Sequence, residues 1–96
     1  MLFEKEAVIH NESGIHVRVA AMLVQKSKDL SLKYNCKFYL RSLHSQRVEM
    51  TNVMQLIALK IACGNSVFVA AEGERRLEAV GEMVDFLEGD FQLQSK

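Results

Sequence analysis

The 96-residue chain contains no proline and two cysteines, and its formal net charge is zero. No internal repeat or low-complexity segment breaks it, so nothing in the composition marks a linker, and the length suits one domain spanning residues 1–96. Cys36 and Cys63 form no CxxC pair and have no His or Cys at metal-ligand spacing. No metal and no cofactor are expected, and both thiols are read as buried and reduced in a cytosolic protein. Twelve basic residues balance twelve acidic ones, so no overall field draws the chain to nucleic acid or anionic lipid. No apolar run approaches the ~20 residues of a membrane span. The opening Met1-Leu2-Phe3-Glu4-Lys5-Glu6 lacks the basic-then-apolar form of a secretory signal. The expectation is a cytoplasmic domain that binds no nucleic acid and inserts in no membrane.

What is present is ordinary globular composition, 49% apolar and 25% charged, which excludes disorder. Leu2 to Ile9 reads as a strand, with Phe3, Ala7 and Ile9 on one parity and Val8 breaking the alternation. Asn11-Glu12-Ser13-Gly14 is a turn. A helix follows from Val17 to about Leu32, with Val19, Met22, Leu23 and Leu30 on its apolar side; Lys28 to Lys33 could equally be extended. Cys36 to Leu40 and Arg47 to Met50 are strands joined by a long loop. Thr51-Asn52 offers an N-cap to a helix from Val53 to Ala62, which Gly64 is placed to end. Ser66 to Ala71 is a covered strand, and Glu72-Gly73 a turn. The last helix runs from about Glu74 to Leu87, with Leu77, Val80, Val84 and Leu87 apolar. Gly81 inside it hints at close packing, and Gly89 with a polar tail closes the chain.

The order β-α-β-β-α-β-α gives an α+β fold. Helices that each carry one apolar stripe share one face of a four-stranded antiparallel sheet, leaving its other face solvated: an open-faced two-layer β-sandwich.

His16 is the residue to which the pattern assigns chemistry. It stands at or beside the N-cap of the first long helix, where open amides and a partial positive charge form an anion site. The positive helix end favours a neutral ring, which keeps a nitrogen available as a nucleophile. A phosphoryl group on that nitrogen would find the amides of Val17 and Arg18, and the planar fork of the Arg18 side chain. Gly14 lets the chain turn tightly just before it. Read without phosphate, His16 caps a helix and Arg18 is a solvated charge. His10 and His44 have no matching neighbours for metal or catalysis. Glu72 and Glu78 read as surface charges, and Glu12 is near enough in sequence to touch His16.

The segment from Asn11 to Gln25, Asn-Glu-Ser-Gly-Ile-His-Val-Arg-Val-Ala-Ala-Met-Leu-Val-Gln, resembles the active-centre segment of HPr. That is the histidine-containing phosphocarrier family of the phosphoenolpyruvate-dependent sugar phosphotransferase system. The family's usual form is Gly-Ile/Leu-His-Ala-Arg-Pro-Ala. Val53-Met54, Leu59 through Gly64, and Val67 to Gly73 resemble its second helix, last strand and following turn. The likeness covers nearly the whole chain, with a few extra residues between Asn35 and Gln46.

The resemblance implies that enzyme I passes a phosphoryl group to Nδ1 of His16, Arg18 stabilises it, and an enzyme IIA receives it. It implies a carrier, not an independent enzyme, and a monomer. Ala20, Ala21, Val24, Val53, Met54 and Ile57 would form the apolar docking patch for both partners, the alternative for each being plain core packing. Three positions depart from the family. Its Pro after the Arg is Val19 here, and its Ala between His and Arg is Val17. A regulatory serine found in many members falls at Asn52, which has no hydroxyl to phosphorylate. Thr51 beside it is a conceivable substitute. These departures leave open a regulatory HPr-like protein that binds a partner in a phosphorylation-dependent way without serving sugar import. A module binding nucleic acid or metabolite is a third reading, which neutral charge and the lack of paired exposed aromatics disfavour.

Overall fold

The computed structural model describes residues 1–89, so the expected polar tail lies outside the described residues. Seven elements occur in the expected order: β1 (Leu2–Val8), α1 (Val17–Tyr34), β2 (Cys36–Ser42), β3 (Val48–Glu49), α2 (Val53–Ala58), β4 (Ser66–Gly73) and α3 (Arg76–Leu87). The strands form one antiparallel sheet in the order β1-β4-β2-β3. The helices pack on one face, α3 against β1 and β4 and α1 against β2, and α1 touches both other helices.

Strand alternation explains the two faces. Ala7, Val67, Val69, Ala71, Phe38 and Leu40 are buried beneath the helices, where they meet Val19, Leu23 and Leu30 of α1 and Val80, Met83 and Leu87 of α3. Val8, which breaks the alternation, belongs to the opposite parity, and its N–H donates to Glu88 Oε2 at 3.0 Å. On the open face Glu4 accepts from Arg41 through Nε and Nη2, both at 2.9 Å, and Arg47 Nη2 lies 3.6 Å away. The Arg41 guanidinium stacks 4.1 Å from the Phe68 ring centroid. This cluster covers Ala70, which is buried although it lies on the open face. Tyr39 shares that face, whereas Phe38 points into the core.

Several element boundaries differ from the sequence reading. The ambiguous stretch from Lys28 to Lys33 is helical, because α1 runs on to Tyr34 and stops at left-handed Asn35, whose N–H bonds Ser31 C=O. Tyr34 is held there by its hydroxyl donating to Glu82 of α3, which also accepts from Lys33 Nζ at 2.8 Å. Helix α2 ends at Ala58, well short of Ala62, and Gly64 does not terminate it. Leu59 and Lys60 donate to carbonyls only three residues back, and Lys60 takes φ 56°. The Ala62 N–H bonds Asn65 Oδ1 at 2.8 Å, and the Ile61 carbonyl accepts from Ile15 of the β1–α1 loop. Glu72-Gly73 closes β4 instead of turning, with Gly73 paired to Cys36 at φ 146°.

Some burial expectations also change. Leu77 is 61% exposed and outside the α3 stripe, which is Ala79, Val80, Met83, Val84 and Leu87. Met22 packs at the core margin rather than within it. A Cβ added at Gly81 would meet nothing within 4 Å, so no close packing explains that glycine. Cys36 is buried as expected, but Cys63 is exposed, because residues 61–65 form a surface loop.

Leu56 is the buried anchor of α2, so Leu56→Ala should cost about 2–5 kcal/mol in denaturant unfolding. Leu77→Ala, on the exposed side of α3, should stay within about 0.5 kcal/mol of the parent. The Arg41 hydrogen bonds hold the Glu4 carboxyl below its ordinary value of 4.5. A depressed carboxyl stabilises the fold fully above its unfolded value, and that contribution is lost as pH falls through the folded value. Denaturation midpoints measured from pH 7 downwards should therefore fall more for the parent than for Glu4→Gln below pH 4.5.

Candidate functional site

The site begins with a loop that cannot hold its shape alone. Between β1 and α1, residues 9–16 lie against the surface loop 61–65, and the two are joined by backbone hydrogen bonds. Ile9 N–H donates to Asn65 C=O at 3.0 Å, Gly64 N–H to Ile9 C=O at 2.7 Å, and Ile15 N–H to Ile61 C=O at 3.0 Å. Gly14 sits where they approach most closely. Its φ is 66°, and a Cβ there would fall 2.3 Å from Ile61 O and 2.8 Å from Ala62 Cα. Only glycine meets both demands.

Past Gly14 the chain presents His16 as the N-cap of α1, in an extended conformation at φ −110° and ψ −174°. Its C=O accepts the first helical bond, from Ala20 N–H at 2.8 Å. The amides of Val17, Arg18 and Val19 precede that bond and form the open first turn. Arg18 N–H donates to His16 Nδ1 at 3.3 Å. An atom that accepts from an amide presents a lone pair, so this contact assigns the acceptor role to Nδ1. The contact therefore turns Nδ1 of the ring toward the open helix end. No acidic side chain occupies the first turn of α1 to oppose an anion. Among the described residues Glu12 makes no hydrogen bond or ion pair with His16.

Val17, the residue after His16, is 65% exposed. Ala21 is exposed, Met54 is 71% exposed, and Val24, Val53 and Ile57 are half-buried at the margin of the core. Ala20 departs from the expectation that it joins a docking patch. It is fully buried, because its Cβ lies on the α1 stripe with Val19 and Leu23. Asn52 caps α2, its side-chain oxygen accepting from Gln55 N–H at 3.1 Å. His10 and His44 are exposed, and no cluster of three metal-ligating side chains exists among the described residues. No helix among the described residues is long and apolar enough to cross a membrane.

Sequence reasoning did not single out Asn11 or the loop 61–65 as parts of this site. The Asn-x-x-Gly spacing was the available signal for Asn11, since a short amide folds back readily on a following turn. The contacts of Ile61 and Gly64 span about fifty residues, and no local pattern announces them.

The chain is thus an open-faced sandwich with a histidine at the N-cap of its first helix. The family model described as "PTS HPr component phosphorylation site" matches residues 3–89. Phosphocarrier protein HPr of Borreliella burgdorferi is 29% identical over 87 residues, 91% of this chain and 95% of that protein. A multiphosphoryl transfer protein of Haemophilus influenzae is 35% identical over 75 residues, 76% of this chain but 14% of that much longer protein. Among solved structures, HPr-C-His from Thermoanaerobacter tengcongensis superposes with a TM-score of 0.78 at 29% identity, covering 94% of this chain and 96% of that one. The chain belongs to the HPr family, the phosphocarriers of the phosphotransferase system.

Gly14→Ala tests the loop contact on which the site rests. The clash is with backbone and the conformation is left-handed, so about 1–3 kcal/mol of stability should be lost by thermal or denaturant unfolding.

Proposed function

We propose that this chain accepts a phosphoryl group on His16 Nδ1 from enzyme I and passes it to a sugar-specific enzyme IIA. The observation that carries the proposal is the 3.3 Å contact from Arg18 N–H to Nδ1, which marks that nitrogen as the lone-pair donor at an open helix end. In the transfer the Nδ1 lone pair forms a bond to phosphorus as the bond to the donor's leaving atom breaks. The Arg18 amide then loses its acceptor on the ring. It and the Val17 amide turn to the phosphoryl oxygens, assisted by the helix dipole and the Arg18 guanidinium. Return transfer reverses these exchanges, with the acceptor's nucleophile in line. Positioning and charge account for the chemistry, and the chain is a carrier rather than an enzyme in its own right.

Val19 supplies an amide where the family has proline. That amide is a further donor at the first turn, so the departure removes no phosphate contact. Ala21, Val24, Val53, Met54 and Ile57 offer apolar surface for both partners, with Met54 the most exposed of them. Donor and acceptor use this surface in turn, which favours a monomer in the cytoplasm. Asn52 supports helix capping but gives a serine kinase nothing to modify.

Incubation with phosphoenolpyruvate and the host's enzyme I should add one acid-labile phosphoryl group by intact mass, and His16→Ala should remain unmodified. Phosphorylation of folded His16→Ala would overturn the site. A parent chain that takes up nothing from that enzyme I would favour the regulatory reading. Arg18→Ala should slow transfer on the order of a hundred-fold, the usual effect of removing one preorganised donor, measured by quenched-flow phosphorylation.

A further inference from the structure

We infer that Asn11 is a positioning residue for phosphoryl acceptance, an inference that rests on the carrier reading of His16. Asn11 lies five residues before the histidine and is 2% exposed, although it is polar and sits in a loop. Its side-chain Nδ2 donates to Gly14 C=O at 2.7 Å, and its own C=O accepts from Gly14 N–H at 2.9 Å. Asn11 thus holds both sides of Gly14, the residue seated on the Ile61–Ala62 backbone.

The Gly14–Ile15 peptide is fixed as a result. Its carbonyl is held by Asn11 Nδ2, and its N–H by Ile61 C=O at 3.0 Å. A peptide unit is planar, so bonds on its two opposite edges define the orientation of the whole unit. The soft angles that remain before the imidazole belong to Ile15, whose side chain is buried in the core, and to His16 itself. Asn11 therefore sets where the ring stands relative to the Arg18 amide without touching either.

The chemistry of asparagine suits this task. The side chain must be short to reach the carbonyl three residues ahead, and it must donate, which an ionised aspartate cannot do. Asn11 Oδ1 is buried with no partner among the described residues. An apolar side chain would avoid the cost of that buried oxygen, but it would leave the Gly14 carbonyl unheld.

Asn11→Asp is isosteric, removes the donor and sets an oxygen against the Gly14 carbonyl. With this chain as the substrate of enzyme I, kcat should fall about ten- to hundred-fold, the scale of a small misplacement of reacting groups. KM should not change, because Asn11 is buried away from the docking surface. In an NMR titration the Arg18 amide proton should follow the His16 ring in the parent and cease to follow it in Asn11→Asp. A variant with a lowered Tm but unchanged kcat and an unchanged Arg18 response would overturn the inference. Amide exchange of the unmutated chain supplies a test that does not depend on the variant folding. The Ile15 amide should be strongly protected, and exchange at an open-loop rate would overturn the positioning role. Neither NMR reading needs a phosphoryl donor. If the parent takes up no phosphoryl group, the carrier reading fails, and these two readings still decide whether Asn11 orders the loop.

Discussion

The contact between the β1–α1 loop and the loop 61–65 is the constraint on which the rest of the site depends. The Ile15–Ile61 hydrogen bond and the close seat of Gly14 join two segments far apart in sequence. Without that seat, a histidine at the end of a seven-residue strand and an irregular turn would have no fixed direction. With it, the imidazole caps an eighteen-residue helix whose axis is held by the core. Helix α2 ends for a local reason, because the Leu59 and Lys60 amides bond only three residues back and the Ala62 amide turns to Asn65 Oδ1.

A sheet with helices on one face must also deal with its other face. Here a polar cluster covers the centre strand, with Glu4 on the outer strand gripping Arg41 in a two-point geometry and Arg41 lying flat on Phe68. Planar guanidinium suits both contacts at once, which an ammonium could not do. A second cluster, Tyr34 and Lys33 of α1 on Glu82 of α3, ties the far end of the long helix to its neighbour. The hydrogen bond from Lys33, and after it that from Tyr34, holds the Glu82 carboxyl below its ordinary value. The long helix is thereby fixed at both ends, by a loop contact near His16 and by side chains near Tyr34.

The family assignment and the departures from the family pattern are compatible for a physical reason. Proline and valine at position 19 both allow the first helical turn, since that amide precedes the first intrahelical bond in either case. Asn52 and serine both cap a helix, so α2 forms whether or not a modifiable hydroxyl is present. Val17 is the departure that changes the surface itself, because it is exposed. The fold accommodates all three.

The order of elements, the histidine at the helix start and the asparagine cap of α2 were legible because each depends on neighbours in sequence. Periodicity marks the face of a helix, and capping needs only the next three residues. Element ends were less legible. The stop at Ala58 was not legible, since it depends on Lys60 taking a left-handed conformation and on the Ala62 amide choosing Asn65 Oδ1. Leu77 was misplaced because a helical stripe gives spacing, but the neighbouring elements decide which residues at its edges are covered; Ala20, assigned to the docking patch through the resemblance alone, is buried by the same packing. The sequence by itself determined the fold class and the place of His16 at the start of α1, because local propensity and burial pattern agree along the chain. Only the tertiary structure decided where that histidine points, because its direction is set by hydrogen bonds between loops that no short-range rule connects.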